Sequence, residues 1–505
     1  MTEETLTRLG YTDRPADTAR GFLVLQDYIF YVLRTDHSAN RWDALSNAYF
    51  PSLRFWYRTS PRNLETLGAE WTPQFGDPPM TVSGMTSVVL DVQGHLTQFT
   101  MVTPQVDEAQ GTSDRMDWNR FFEAAGLDAN TFKSTPSQWV PNGYADERKA
   151  WEGPMPGRPE ITLRVEAAGY RGRPAFFQIV GPWTRRPREA PPGQTGRGII
   201  RFGLFLIVFA LSIGGLLLAR YNIRNGRGDR RGATRIALVL VGTMFVAWVL
   251  GARHWLEPLT ELGHFVQDFA ASQLLYAGIM WLIYLALEPY VRRYSPEILM
   301  SWSRLLGGRF RDPRVGRDIL VGIAAGVLVA LARCALLLLP ALFGAAPPPL
   351  RGLSLDFLLT TRHALSALLR MPPTALFNGM LITLSFALAR MLVKRTWPAA
   401  LISGILLAFV LVTDAGTEQI GLNLLFAAVV SLVYVLVLVH YGMFAQMMAF
   451  LTNFILTQGG LTADFSKLYA PTSTWLLLLI VGLAAFGFYA SRAGEPLFGT
   501  AFDAT

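Results

Sequence analysis

Gly421–Val439 reads GLNLLFAAVVSLVYVLVLV, an apolar run with no charged side chain. An α-helix crossing lipid needs about 20 mostly apolar residues, because every backbone polar group must be satisfied within the segment. Working outward, comparable runs lie near 199–219, 234–252, 267–290, 319–344, 373–393, 397–413 and 473–491. A further run at 441–457 would follow a very short turn at His440-Tyr441-Gly442. The expectation is an α-helical polytopic membrane domain over 199–491, with eight or nine spans.

Composition agrees with a divided chain. Hydrophobic residues make up 51% of the 505 and charged residues 16%, which is low for a soluble protein of this length. Residues 1–183 differ, with mixed charge, turn signals and no run long enough to span, so a small α+β soluble domain is expected there. Residues 184–198, with Arg185-Arg186-Pro187-Arg188 and Pro191-Pro192-Gly193, read as a Pro/Arg-rich linker. Residues 492–505 form a C-terminal tail.

Net charge is +8, mostly from arginines in loops beside the apolar runs. That placement fits the lipid bilayer and membrane topology, and no nucleic-acid partner is expected. Arg220, Arg224, Arg227, Arg230, Arg231 and Arg235 occupy one loop, and residues 292–317 carry a second set. Lys394 and Arg395 mark a third basic turn, whereas 253–266 has only Arg253 and 414–420 has no Lys or Arg. The basic loops are expected in the cytoplasm and the N-terminal domain outside, in a multi-pass protein of a bacterial inner membrane. Arg185, Arg186, Arg188, Arg197 and Arg201 pull the first span the other way. Residues 1–25 hold no basic segment followed by an apolar core. The expectation is then either a cytoplasmic N-terminal domain or a further segment before Met1. The one cysteine, Cys334, lies in an apolar run, so the soluble domain has no disulfide.

Within 1–183, residues 14–35 and Arg41–Leu45 read as helices and Ser52–Arg58 as a strand. Ser87–Val92 and His95–Val102 flank Gln93-Gly94 as a hairpin. Asp117 caps a helix over Trp118–Ala125 that Gly126 ends. A second hairpin joins Ile161–Ala167 to Ala175–Val180. Seven tryptophans (42, 56, 71, 118, 139, 151 and 183) could line a pocket for an extracytoplasmic ligand or brace the core. No cofactor is expected.

Three constellations in the membrane domain are candidate sites. Arg333 stands in the middle of an apolar run, where a charge is costly and faces a partner, water or the bundle interior. It is either a switch or anion-binding residue, or a structural cation; Asn378 and Asn453 read as interhelical hydrogen-bonders. His254, Glu257, Glu261 and His264 have spacings of 3, 4 and 3, which would align zinc-type ligands on one helical face. Pro258 interrupts that helix, and exposed loop polar groups are the plainer reading. In the third, Ile298, Leu299, Trp302, Leu305 and Leu306 form an apolar stripe beside Arg304, Arg309 and Arg311. Such a helix can lie among lipid headgroups, as an anchor or as a coupling element.

That third stretch carries a resemblance. Tyr284-Leu285-Ala286-Leu287-Glu288-Pro289-Tyr290-Val291-Arg292-Arg293 leads through Ser295-Pro296-Glu297 and Ser301-Trp302-Ser303-Arg304 to Gly308-Arg309-Phe310-Arg311-Asp312-Pro313-Arg314-Val315-Gly316-Arg317-Asp318. It closely resembles the C-terminal membrane region of large bacterial transmembrane serine/threonine protein kinases of the kind found in Acidobacteria. Phe55-Trp56-Tyr57-Arg58, Gly181-Pro182-Trp183 and Ser491–Gly499 extend the resemblance over nearly the whole chain. It implies a cytoplasmic kinase domain and one span preceding this region, and a cytoplasmic signalling partner. The chain itself shows no Gly-rich phosphate loop with a strand lysine, no His-Arg-Asp loop and no Asp-Phe-Gly, so no catalytic residue is assigned. The expectation is a membrane-anchored sensory module of kinase signalling. The alternative is a transporter-like or intramembrane-enzyme protein with a soluble accessory domain.

Overall fold

A computed structural model describes residues 2–36, 52–67, 71–106, 116–186, 188, 195–255, 257–342, 355, 358–415, 420–462, 464–465 and 470–492. The chain divides into two compact units, and the break between Ala190 and Pro191 falls in the expected linker.

The N-terminal unit is built on one antiparallel sheet. Its strands are β1 (Asp17–Val24), β2 (Leu53–Ser60), β3 (Thr86–Asp91), β4 (Leu96–Met101), β5 (Lys133–Thr135), β6 (Glu147–Met155), β7 (Arg158–Tyr170) and β8 (Arg173–Val180). They lie in the order β1-β2-β3-β4-β8-β7-β6-β5. Helices α1 (Thr2–Arg8), α2 (Gln26–Thr35) and α3 (Asn119–Ala125) bury Leu6, Tyr28, Val32, Phe121 and Phe122 with Phe99 and Phe177 of the sheet. Period-two alternation in β2 sends Tyr57 into this core. Trp56 goes to the opposite face, with Ala19, Leu64, Met85 and Val89.

Both expected hairpins form, the second turning at Arg171 and Gly172 with φ of 52° and 72°. Gly126, at φ 64°, ends α3 as expected. The helix expected over 14–35 is corrected. Residues 17–24 are strand β1, and only 26–35 are helical. Asp17 and Ala19 alternate inward with Gly21, and a Cβ at Gly21 would lie 2.6 Å from the Trp56 ring, so that position tolerates no larger residue. Arg41–Leu45 lies outside the described residues. Strands β5 and β6 were not expected, because β6 carries Glu147, Arg148, Lys149 and Pro154 and hides few of its residues.

The second unit is helical: α4 (Thr195–Arg224), α5 (Arg230–Gly251), α6 (Pro258–His264), a π-helical turn at Phe265–Ala271, α7 (Ser272–Tyr294), α8 (Glu297–Leu306), α9 (Pro313–Leu342), α10 (Thr361–Val393), α11 (Thr396–Ala415), α12 (Ile420–Tyr441), α13 (Met443–Gln458) and α14 (Ala470–Ser491). Among the described residues, six helical segments are long and apolar enough to cross a membrane: 230–251, 258–294, 313–336, 361–393, 421–441 and 470–491. Helices α4 and α11 coincide with two more expected spans. Helix α10 is continuous through Pro372-Pro373 and starts at Thr361, twelve residues before the expected start at 373.

Helix α13 is the unusual element. At 16 residues it is about 24 Å long, short of a hydrocarbon core of about 30 Å. Every residue from Met443 to Phe450 is buried, so protein rather than lipid surrounds this part. Glycines allow the approach. A Cβ at Gly322 would lie 2.4 Å from Met448 Cβ, and one at Gly326 2.6 Å from the Ala449 carbonyl oxygen. The contacts advance together along both chains, so α9 and α13 run parallel. Gly316 meets Ser491 and Gly487 of α14, which runs antiparallel to α9. Small residues at such seams let helix backbones meet where no hydrophobic force drives association. Outward positions such as Leu238, Val239, Leu274, Leu275 and Leu401 stay exposed and apolar.

Candidate functional sites in the helical unit

The three basic loops gather at one end of the bundle. Arg235 donates to the Leu306 carbonyl, Arg317 lies over the Tyr441 ring, and Trp397 meets His440. The segment 284–318 is a folded plate rather than a loose loop. Its apolar stripe does not lie free for lipid headgroups: Ile298, Leu299 and Trp302 are buried. Gly442, at φ 97°, places its Cα against the Ile298 backbone, where a Cβ would come within 2.6 Å of the carbonyl oxygen. Trp302 packs against Phe444. Helix α8 thus rests on the turn between α12 and α13.

Three carboxylates knit the plate. Glu288, 3% exposed, pairs with Arg292 at 2.5 Å and accepts from the Asp229 N–H at 3.2 Å. Asp229 in turn caps α5, accepting from the Gly232 N–H at 2.8 Å. Pro289 has no N–H for the Leu285 carbonyl four residues earlier. Asn222 supplies the missing donor at 2.8 Å. Asp312 pairs with Arg304 at 2.5 Å and caps α9 by accepting from the Arg314 N–H at 3.0 Å. Burial opposes charge on Asp312, but Arg304 and the Arg314 N–H outweigh it and hold its carboxyl below the usual range. Asp318 is fully buried and pairs with Arg317 at 2.8 Å. Arg293, Arg309, Arg311 and Arg314 remain exposed on the outer side of this plate. Sequence reasoning missed Asp229 and Asn222; a single acidic residue inside a run of arginines was the available signal.

A cavity of about 430 Å³ lies among six helices of the same unit. It joins residues that the sequence singled out separately: Arg333 of α9, Asn378 of α10 and Asn453 of α13 all line it. Ser385, Ser403 and Tyr434 add hydroxyls. Ser385 and Ser403 spend their hydrogens on carbonyls of their own helices. The Tyr434 hydroxyl and Asn453 Oδ1 are buried with no hydrogen-bond partner among the described residues. Tyr434, 2% exposed, is held by stacking on Phe450 with centroids 3.9 Å apart. The rest of the wall is leucine, valine, isoleucine and phenylalanine apart from Thr457 and Gln458, and no described carboxylate lines it.

The zinc-type quartet does not assemble. Pro258 opens α6 at its first turn, so His254 lies outside the helix and its spacing to Glu261 is not helical. His254 instead meets Glu261 at 2.8 Å and the Val249 carbonyl at 2.9 Å. Glu257 takes the Thr260 hydroxyl, and His264 stacks on Trp255. Among the described residues no group of three or more metal-type side chains is placed to hold an ion. In the N-terminal unit, Trp56 and Trp183 are core residues, and Trp118 braces Trp151 at 5.7 Å; Trp42 lies outside the described residues.

The described residues comprise an N-terminal antiparallel-sheet unit and a helical unit whose six long apolar segments have the length and composition of a multi-pass membrane protein. No family model, curated protein or solved structure matches the chain.

Proposed function

We propose that this chain is the sensing and anchoring membrane part of a bacterial serine/threonine kinase signalling system. The N-terminal unit lies outside, the basic end lies in the cytoplasm, and the 284–318 plate passes movement of the spans to a cytoplasmic kinase partner. One observation carries the reading. Helix α8 is fastened to α12 and α13 through Ile298, Gly442, Trp302 and Phe444, while Arg309, Arg311 and Arg314 stay exposed for an acidic partner surface. A shift of the core helix α13 therefore moves the plate. Nine passes fit this arrangement. Helix α13 runs parallel to α9 away from the basic end, and α14 returns to it beside Gly316. The positive-inside rule then puts that end in the cytoplasm.

The test is stimulus-dependent phosphoprotein output in source cells. Arg309→Glu with Arg311→Glu is expected to abolish it while membrane insertion and abundance stay normal. Unchanged output after deletion of 1–183 would sink the sensing claim. The cavity favours a second reading, a carrier. Uptake into vesicles that is lost in Arg333→Ala would support that reading instead.

A further inference from the structure

We infer that the cavity around Arg333 is a binding site for an amphiphile with a single anionic head, carboxylate or phosphate, and an apolar chain. The head chemistry follows from the polar lining. One cation, one phenol and two carboxamides line the same cavity. A guanidinium with neutral N–H and O–H donors around it is an anion-recognising set. The Asn378 and Asn453 amides present N–H or C=O by turning over, so either can donate to an anion.

The second observation is independent of the charge. Tyr434 is 98% buried (100% minus 2% exposed), lines the cavity, and has no hydrogen-bond partner for its hydroxyl among the described residues. Inside a membrane bundle bulk water is not at hand to satisfy such a group. An acceptor oxygen held in the cavity within reach of Tyr434 would satisfy it. The body chemistry follows from the walls, where Leu406, Leu407, Phe426, Val430 and Phe454 offer only hydrocarbon. The volume, about 430 Å³, lies within the range of roughly 300–1,000 Å³ usual for small-molecule sites. It suits a head with one chain better than a whole two-chain lipid. The inference does not depend on the kinase reading, since it concerns binding alone.

The experiment uses the purified full chain in nanodiscs of neutral lipid and a long-chain fatty acid bearing a photoreactive diazirine. Mass spectrometry is expected to map adducts to α9, α12 and α13, and unlabelled fatty acid to displace them. The matching fatty alcohol is expected to compete at least about tenfold more weakly, the loss of one charge-assisted contact. Arg333→Gln is expected to weaken labelling by a similar factor, and Tyr434→Phe, which removes one oxygen from a packed ring, to weaken it less. A single-chain phosphate amphiphile serves as the second competitor. Stronger displacement by it assigns the head to phosphate, and stronger displacement by the fatty acid assigns it to carboxylate. Equal competition by the alcohol, unchanged labelling in both variants, or adducts confined to outward residues such as Leu238 and Leu401 would overturn the inference. So would saturation by inorganic phosphate or acetate alone, since the chain would then be irrelevant.

Discussion

Substituting Gly322 and Gly326 together by alanine tests the packing on which both sites depend. At Gly326 the new Cβ lies 2.6 Å from the Ala449 carbonyl oxygen and 2.6 Å from Thr452 Cβ. At Gly322 it lies 2.4 Å from Met448 Cβ and 2.6 Å from the Ala445 carbonyl oxygen. Carbon atoms settle at about 3.5–4.0 Å, so α9 and α13 must move apart by roughly 1 Å at each position. Backbone atoms are among the obstacles, and no side-chain rotation relieves them. Overpacking by one methyl costs about 1–3 kcal/mol, and two sites on one seam are coupled. The double variant should therefore lose between about 2 and 5 kcal/mol. Gly242→Ala and Gly278→Ala are the controls. Nothing lies within 4 Å of the Cβ added at either position. Both lie inside helices, so alanine should leave stability unchanged or raise it by up to about 1 kcal/mol. The assay is unfolding of the purified chain in mixed micelles as denaturing detergent is titrated in. A double variant as stable as the parent, or controls that fall as far, would refute the close α9–α13 seam.

Other consequences can be checked in the same chain. Asn222→Leu removes the donor that serves the Leu285 carbonyl, and should cost about 1–3 kcal/mol in that assay. The Asp312 carboxyl is held below its usual range, so its contribution is present above the unfolded value of about 3.9 and is lost as pH falls through the lower folded value. Asp312→Asn should be less stable than the parent at pH 6, and the gap should narrow steadily as pH falls below about 3.9; a gap that does not change with acidification would show that the ion pair is not its source. In the N-terminal unit, Glu166 is 1% exposed and meets the Arg164 guanidinium at 2.5 Å and the Ser137 hydroxyl at 2.7 Å. Glu166→Gln leaves the half-exposed Glu152 as the one ion-pair partner of Arg164 among the described residues, beside its bond to the Pro136 carbonyl, and should cost about 3 kcal/mol. Proteolysis of the full chain would report it as faster cleavage within 1–190.

Length and apolarity made the spans legible, because lipid imposes both on any helix that crosses it. Gly421–Val439 announces itself in this way. Helix α13 does not, since a short apolar run is equally a buried helix and a crossing one, and only its neighbours decide. Strand β1 is not legible as a strand, because its alternation is carried by Asp17, Ala19 and Gly21 rather than by large apolar residues. Hydropathy singled out Arg333, and amide chemistry Asn378 and Asn453. Their convergence depends on how six helices pack, which no local pattern encodes. Tyr434 was hidden among valines and leucines. Gly322 and Gly326, with Ala445 and Ala449 opposite, form a small-residue pattern that could have predicted the seam. The zinc-type spacing misled because Pro258 starts a helix instead of lying within one.

A signal carried across a membrane requires its two ends to lie on opposite faces. The direct measurement is sided labelling with a membrane-impermeant maleimide, in a Cys334→Ser background that leaves no other cysteine. Single cysteines are introduced at Asn142, exposed in the N-terminal unit, and at Arg309, exposed on the basic plate. The account predicts that Asn142→Cys reacts only in right-side-out vesicles and Arg309→Cys only in inverted ones. Labelling of both from the same face would contradict it.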